Sequence, residues 1–282
     1  MNALEFKNVT KHYDDFTLDN LNLTIPSGCI VGFIGENGAG KTTTMKLIFD
    51  LVKADQGEIN VFGKSNKTDS KEIKEHIGVV LEEAGYPETM NIKEIESVLS
   101  HVYKTWNTKK FSELCTKLSL PAKKPVKDFS RGMKMKLSLS VALSHESKLL
   151  VLDEATSGLD PIVRDELLDI FLEFIQEEDH TIFISSHILS DLEKICDYIA
   201  FIHKGKLLFF EEKDALLQKY GVLKASRAEI SSLAPSCIIG TRENSFGIEA
   251  LVNLAKYNGN QQLDKATIED IMLYHTKGAK AC

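Results

Sequence analysis

The chain has 282 residues, 43% of them hydrophobic, and a formal net charge of −7. That length buries a sizeable core and sits near the upper size for one domain. The acidic balance gives no electrostatic footprint for nucleic acid, and Lys123, Lys124 and Lys127 beside Pro121 and Pro125 read as a solvated loop.

Residues 1–75 read as strands and turns leading into one chemically loaded segment. Cys29-Ile30-Val31-Gly32-Phe33-Ile34 is a short apolar run suited to a buried parallel strand. Met45, Leu47, Ile48 and Leu51 then recur at helical spacing. Between them stands Gly35-Glu36-Asn37-Gly38-Ala39-Gly40-Lys41-Thr42-Thr43, with the spacing of a phosphate-binding loop. Glycines there let backbone N–H groups approach phosphate oxygens, which a Cβ would block. Lys41 places a positive charge at the β- and γ-phosphates, and the Thr42 hydroxyl can ligate Mg²⁺. The helix that follows points its N-terminus at the same phosphates. This loop alone does not choose among kinases, GTPases and ATPases.

Further along, Gly57 to Gly63 reads as a short strand, and Glu82 closes the stretch Ile77-Gly78-Val79-Val80-Leu81-Glu82. From Ile92 to about Leu120 the pattern turns helical, with Ile92, Ile95, Val98, Leu99 and Val102 on one face. Residues 137–145 are densely apolar and predict a buried helix. Leu149-Leu150-Val151-Leu152-Asp153-Glu154 is a strand-like run ending in two carboxylates. A buried parallel strand delivers Asp153 beside the phosphates, where it can hold Mg²⁺ through water. Glu154 can then orient or deprotonate an attacking water. Ser157-Gly158-Leu159-Asp160-Pro161 predicts a tight turn before a helix over 162–178. Thr181-Ile182-Phe183-Ile184 is a second apolar run and stops at Ser185-Ser186-His187, where His187 can donate to the γ-phosphate.

Upstream of the carboxylates lies Phe129-Ser130-Arg131-Gly132-Met133-Lys134. With it, the chain resembles the nucleotide-binding subunit of an ATP-binding-cassette (ABC) transporter. The resemblance runs in order through Tyr13, the phosphate loop, Glu82, Ser130 to Met133, Asp153-Glu154, Asp160 and His187. It is strongest to bacterial exporters of the ABC-2 type. Two residues depart from the commonest pattern. Arg131 stands at the first glycine of the usual Leu-Ser-Gly-Gly-Gln signature, with Met133 at the glutamine, and Glu82 stands where most members carry Gln.

The resemblance implies an α/β fold: a P-loop NTPase core with a mixed sheet and flanking helices. It also implies an α-helical subdomain over residues 83–145, within an ATPase domain at 1–220, and a small C-terminal α+β extension at 221–282. ATP would be held by Tyr13, Gly35, Asn37, Gly38, Ala39, Gly40, Lys41, Thr42, Thr43 and Asp160, with Thr42, Glu82 and Asp153 around Mg²⁺. Tyr13 would stack on adenine, an ordinary strand-end tyrosine being the other description. Glu154, His187 and Lys41 would carry catalysis. Ser130 and Gly132 would face the γ-phosphate held by a second subunit, either another copy or a paralogous ATPase.

The five cysteines, Cys29, Cys115, Cys196, Cys237 and Cys282, are scattered and lack metal-ligand spacing, which suits free thiols in a reducing cytosol. No apolar run approaches the about 20 residues needed to span a bilayer, and Tyr198 to Ile202 is cut by a hairpin-like His203-Lys204-Gly205-Lys206. The N-terminus shows no signal-peptide pattern. The resemblance therefore places the chain in the cytoplasm, peripheral on the inner face of the cell membrane, docked on an integral membrane permease subunit. In the family, the permease's cytoplasmic helix fits near the segment that here is Glu82 to Met90. Tyr86 and Met90 would anchor it there or simply pack the subdomain. The competing class, a soluble ABC ATPase acting on nucleic acid or ribosomes, is opposed by the charge balance and by the single phosphate loop.

After Gly221 the cassette pattern is lost. Cys237 to Gly240 predicts a strand, and Gly247 to Tyr257 and Thr267 to Tyr274 predict helices, the latter opened by a Thr267–Asp270 cap. This part carries no readable chemistry.

Overall fold

Buried and exposed residues alternate along β2 (Thr17–Pro26), as in a strand with one wet face. β2 pairs antiparallel with β1 (Asn2–His12), Phe6 opposite Leu23. The computed structural model describes residues 1–81, 85–244 and 247–276. The third strand, β3 (Ile30–Ile34), is buried throughout and ends at the glycine loop that opens α1 (Lys41–Ile48). β4 (Gln56–Val61) and β5 (Lys64–Ser65) complete the first sheet, in the order β2-β1-β4-β5.

The central layer is a six-stranded sheet. After α2 (Ser70–Glu75) come β6 (Ile77–Val80), the helices α3 (Ile92–Val102), α4 (Thr108–Lys117) and α5 (Arg131–Ala142), then β7 (Leu149–Asp153). α6 (Pro161–Phe174), β8 (Thr181–Ser185), α7 (Leu189–Ile195), β9 (Tyr198–His203) and β10 (Lys206–Glu212) follow. The order is β10-β9-β3-β8-β7-β6, parallel except for the β9–β10 hairpin. The C-terminal ends of β3, β7 and β8 therefore lie side by side, where open α/β sheets bind their ligands. The packing here is tight. A Cβ on Gly78 would lie 2.4 Å from Leu150 Cδ2 and 3.0 Å from Ala142 O. Gly78→Ala is expected to cost about 1–3 kcal/mol through overpacking; a calorimetric melt with an unchanged Tm would refute this account of the β6–β7–α5 contact.

In the helical segment, the Asn91 side chain accepts from Lys93 and Glu94 N–H, and Glu94 returns a bond to Asn91 N–H. This capping box fixes where α3 starts. Only part of the predicted apolar face is covered: Ile92 and Ile95 are buried, while Val98 and Val102 are 49% and 59% exposed. Tyr86 and Met90 pack against the main core, and Tyr86 hydrogen-bonds Ser138. Burial drives the Tyr86 hydroxyl's pKa upward. Both residues are thus partly buried against the core of their own chain. Among the described residues, no helix is long and apolar enough to cross a membrane.

The C-terminal part corrects one expectation. α8 (Lys213–Lys219), β11 (Tyr220–Ala225) and α9 (Arg227–Ser231) lead to β12 (Ile238–Asn244), β13 (Gly247–Asn253), β14 (Asp264–Lys265) and α10 (Ile268–Thr276). The expected helix from Gly247 is the strand β13, central in a sheet ordered β12-β13-β11-β14. It is buried on both faces. Leu251 joins the main core, whereas Ala250 and Val252 join a smaller cluster with Leu223, Ile230 and Cys237. Such a strand has no period of two, so its apolar run imitates a helix. The Thr267 cap forms as expected, Thr267 N–H and Oγ1 both donating to the Asp270 carboxylate. α10 then packs on α7, and Ile268 N–H donates to Glu193 Oε1 at 2.6 Å.

Candidate functional site

Three strand ends build the site. From β3, the loop turns so closely past β9 that a Cβ on Gly35 would lie 2.4 Å from Ile202 O. Gly40 caps α1 at φ 114°, with no side-chain cap on the helix. The first-turn N–H groups are thereby left to an anion. Lys41 is 7% exposed, and its Nζ donates to Gly35 O at 2.8 Å and to Glu36 O at 3.4 Å. Burial holds its pKa below the ordinary lysine value of 10.5, opposed by the Glu154 and Asp153 carboxylates. Nζ stands 3.9 Å from Glu154 Oε1. A cation held in a glycine-lined loop under these conditions gains most from a phosphate.

β7 and β8 supply the acids and the histidine. Asp153 is buried, and its Oδ1 accepts from Ser185 Oγ at 2.6 Å. Glu154 adopts φ 54°, a left-handed backbone held by its N–H donating to Ser185 O and Oγ. One residue, Ser185, therefore positions both carboxylates. Glu154 Oε2 lies 2.6 Å from His187 Nδ1 and accepts from His187 N–H at 3.3 Å.

These groups surround a cleft of about 520 Å³ lined by Phe16, Asn37, Gly38, Gly40, Lys41, Thr42, Thr43, Glu154, Ser157 and His187. Gly35, Ala39 and Asp153 lie buried beneath it. Tyr13 is not among the lining residues. It is 44% exposed, 6.4 Å ring to ring from Phe16, and its N–H donates to Phe16 O. Phe16 is the aromatic that reaches the cleft, against Gly40; sequence reasoning passed over it. Its signal was faint: an aromatic in a polar turn, one step past an aspartate pair.

Ser130, Gly132 and Asp160 do not line the cleft within this chain. Ser130 caps α5, accepting from Met133 N–H, and Asp160 caps α6, accepting from Ile162 and Val163 N–H. A Cβ on Gly132 would make only ordinary contacts, 3.5 Å from Val163 Cγ1. Among the described residues nothing demands glycine there. Glu82 lies outside the described residues. Among the described residues no three His, Cys, Asp or Glu side chains gather into a metal cluster. Thr42 and Asp153 are hard oxygen donors, a set suited to Mg²⁺ carried in with phosphate oxygens.

The ABC transporter family model matches residues 18–157. The lantibiotic transport ATP-binding protein SrtF of Streptococcus pyogenes is 38% identical over 219 residues, spanning 75% of this chain and 91% of that protein. The chain belongs to the ABC transporter ATP-binding family. The bacitracin transport ATP-binding protein BcrA of Bacillus licheniformis is also 38% identical, over 203 residues covering 71% of this chain and 66% of that protein. A solved ATP-binding subunit of an ABC transporter matches with a TM-score of 0.70 and 25% identity, over 77% of this chain and 92% of that one. The mixed α/β architecture is that of an ABC ATPase, and ATP binding and hydrolysis come with membership.

Proposed function

We propose that this ABC ATPase powers an exporter whose pore is a separate membrane permease, through ATP-driven closure of a head-to-tail dimer. The observation that carries this reading is the division of the site. Lys41, Asp153, Glu154 and His187 meet at one cleft, while Ser130 and Gly132 stand outside it on a helix start with room for a close approach. A second subunit's signature, another copy or a paralogue, would close the open side. The relatives named for bacitracin and lantibiotic transport support a role in transport.

Within each cleft the roles follow from placement. Lys41 and the N–H groups of the loop from Gly35 to Thr43 bind and orient the phosphates. Thr42 and Asp153 would hold Mg²⁺, which neutralises phosphate charge when bound. Phe16 and Tyr13 together offer an aromatic wall for adenine. Glu154 takes a proton from the attacking water, and His187 orients Glu154 and reaches toward the γ-phosphate. The ATPase unit corresponds to residues 1–220 and the extension to 221–282. The protein works on the cytoplasmic face of the membrane, held there by its permease.

Mixing subunits tests the dimer. Ser130→Arg spoils the signature half, and Lys41→Ala the phosphate half. A mixed dimer regenerates one intact composite site, so the mixture is expected to hydrolyse ATP faster than either mutant alone. Mixed dimers that form without any recovery would show that the signature does not act in trans.

A further inference from the structure

Arg131 is the residue that departs from the commonest signature, and it has a defined place in the fold. It opens α5 directly after the Ser130 cap. Its guanidinium lies over Gly158: a Cβ built there would fall 3.1 Å from Nη1, 3.3 Å from Cζ and 3.5 Å from Nε. Three such similar distances set the planar group face-on over the open side of Gly158, where a side chain would otherwise stand, a shape that lysine cannot copy. Gly158 accommodates it by lacking a side chain and by sitting at φ 66°.

Gly158 belongs to the turn that follows the catalytic glutamate. Ser157 N–H donates to Glu154 O at 3.0 Å, and Ser157, only 8% exposed, lines the cleft beside it. At the far end of the turn Asp160 caps α6. The turn is thus pinned at both ends, and Arg131 covers its middle.

We propose that Arg131 is a positioning residue that couples the two nucleotide sites of the dimer. It joins the signature, which faces the partner subunit's ATP, to the turn that carries Glu154 of its own cleft. With glycine at this position the two elements could shift independently. With arginine, engagement of the signature by one ATP is transmitted to the base acting on the other. The inference rests on the head-to-tail dimer proposed above.

Wild type, Arg131→Gly and Arg131→Lys are compared in ATP hydrolysis, reading kcat, KM and the Hill coefficient. ATP-dependent dimerisation is followed by size exclusion in the Glu154→Gln background. Arg131→Gly is expected to lower kcat about three- to tenfold and to bring the Hill coefficient toward unity, with dimerisation retained. Arg131→Lys is expected to fall on the same side, because lysine keeps the charge but lacks the planar face that lies over Gly158. Unchanged kcat and Hill coefficient in Arg131→Gly, beside a cooperative wild type, would overturn the proposal. So would full activity in Arg131→Lys, which would show that a positive charge at this position suffices without the planar face. A wild type that hydrolyses ATP but never dimerises would overturn the head-to-tail reading itself, and the coupling with it.

Discussion

Glu154→Gln is expected to reduce ATP turnover by about 10²–10⁴-fold, the range that general-base catalysis supplies, while ATP binding persists. The backbone argues that the exchange leaves geometry intact. Glu154 is fixed at φ 54° through N–H bonds to Ser185 O and Oγ, neither of which involves its side chain. The glutamine amide can still accept from His187 N–H, as Oε2 does. What it cannot do is take a proton from water. Binding and hydrolysis should therefore separate, and the variant should collect as an ATP-bound dimer on size exclusion. Phosphate release and a calorimetric ATP titration measure the two halves. Near-normal phosphate release would place the base elsewhere.

Lys41→Ala is expected to fail one step earlier, at binding. Charge-assisted hydrogen bonds contribute about 1.5–3 kcal/mol each, so losing the cation should weaken ATP binding by roughly 10- to 100-fold. Stability should respond differently. The buried ammonium is held below its ordinary pKa by desolvation, and it bonds only to carbonyls while it approaches Glu154. Removing it relieves that burial cost. The nucleotide-free variant is thus expected to melt no more than slightly below wild type, while its Kd for Mg-ATP rises steeply. A variant that bound Mg-ATP like wild type in calorimetry would show that the cleft is not the phosphate site.

Most of the residues of the candidate site could be placed from the sequence because its strands are buried on both faces. β3, β7 and β8 read as unbroken apolar runs, and each stops at the residue it delivers: Gly35, Asp153 and Ser185. The same property hid β13, where a double-sided burial without flanking chemistry was indistinguishable from a helix. Phe16 was missed because its position depends on the approach of a loop to Gly40, which no spacing encodes. Ser185 was seen as a strand end, yet its three hydrogen bonds to Asp153 and Glu154 depend on the β7–β8 register, Asp153 opposite Ser185. The α3 pattern was right about the helix and too generous about its buried face, since periodicity identifies an apolar stripe without identifying what covers it.

The double-sided burial of β13 also bears on what kind of appendage the extension is. A module on a tether can be trimmed, exchanged or left to melt alone. Here Leu251, Ile268 and Ile271 share one buried cluster with Leu192 and Ile195 of the helix that follows His187, and α10 packs on that helix. Cutting the chain before Gly221 would strip the outer wall from that helix and expose its apolar flank. The two parts should therefore share one unfolding transition, and the extension is better regarded as a buttress than as a passenger.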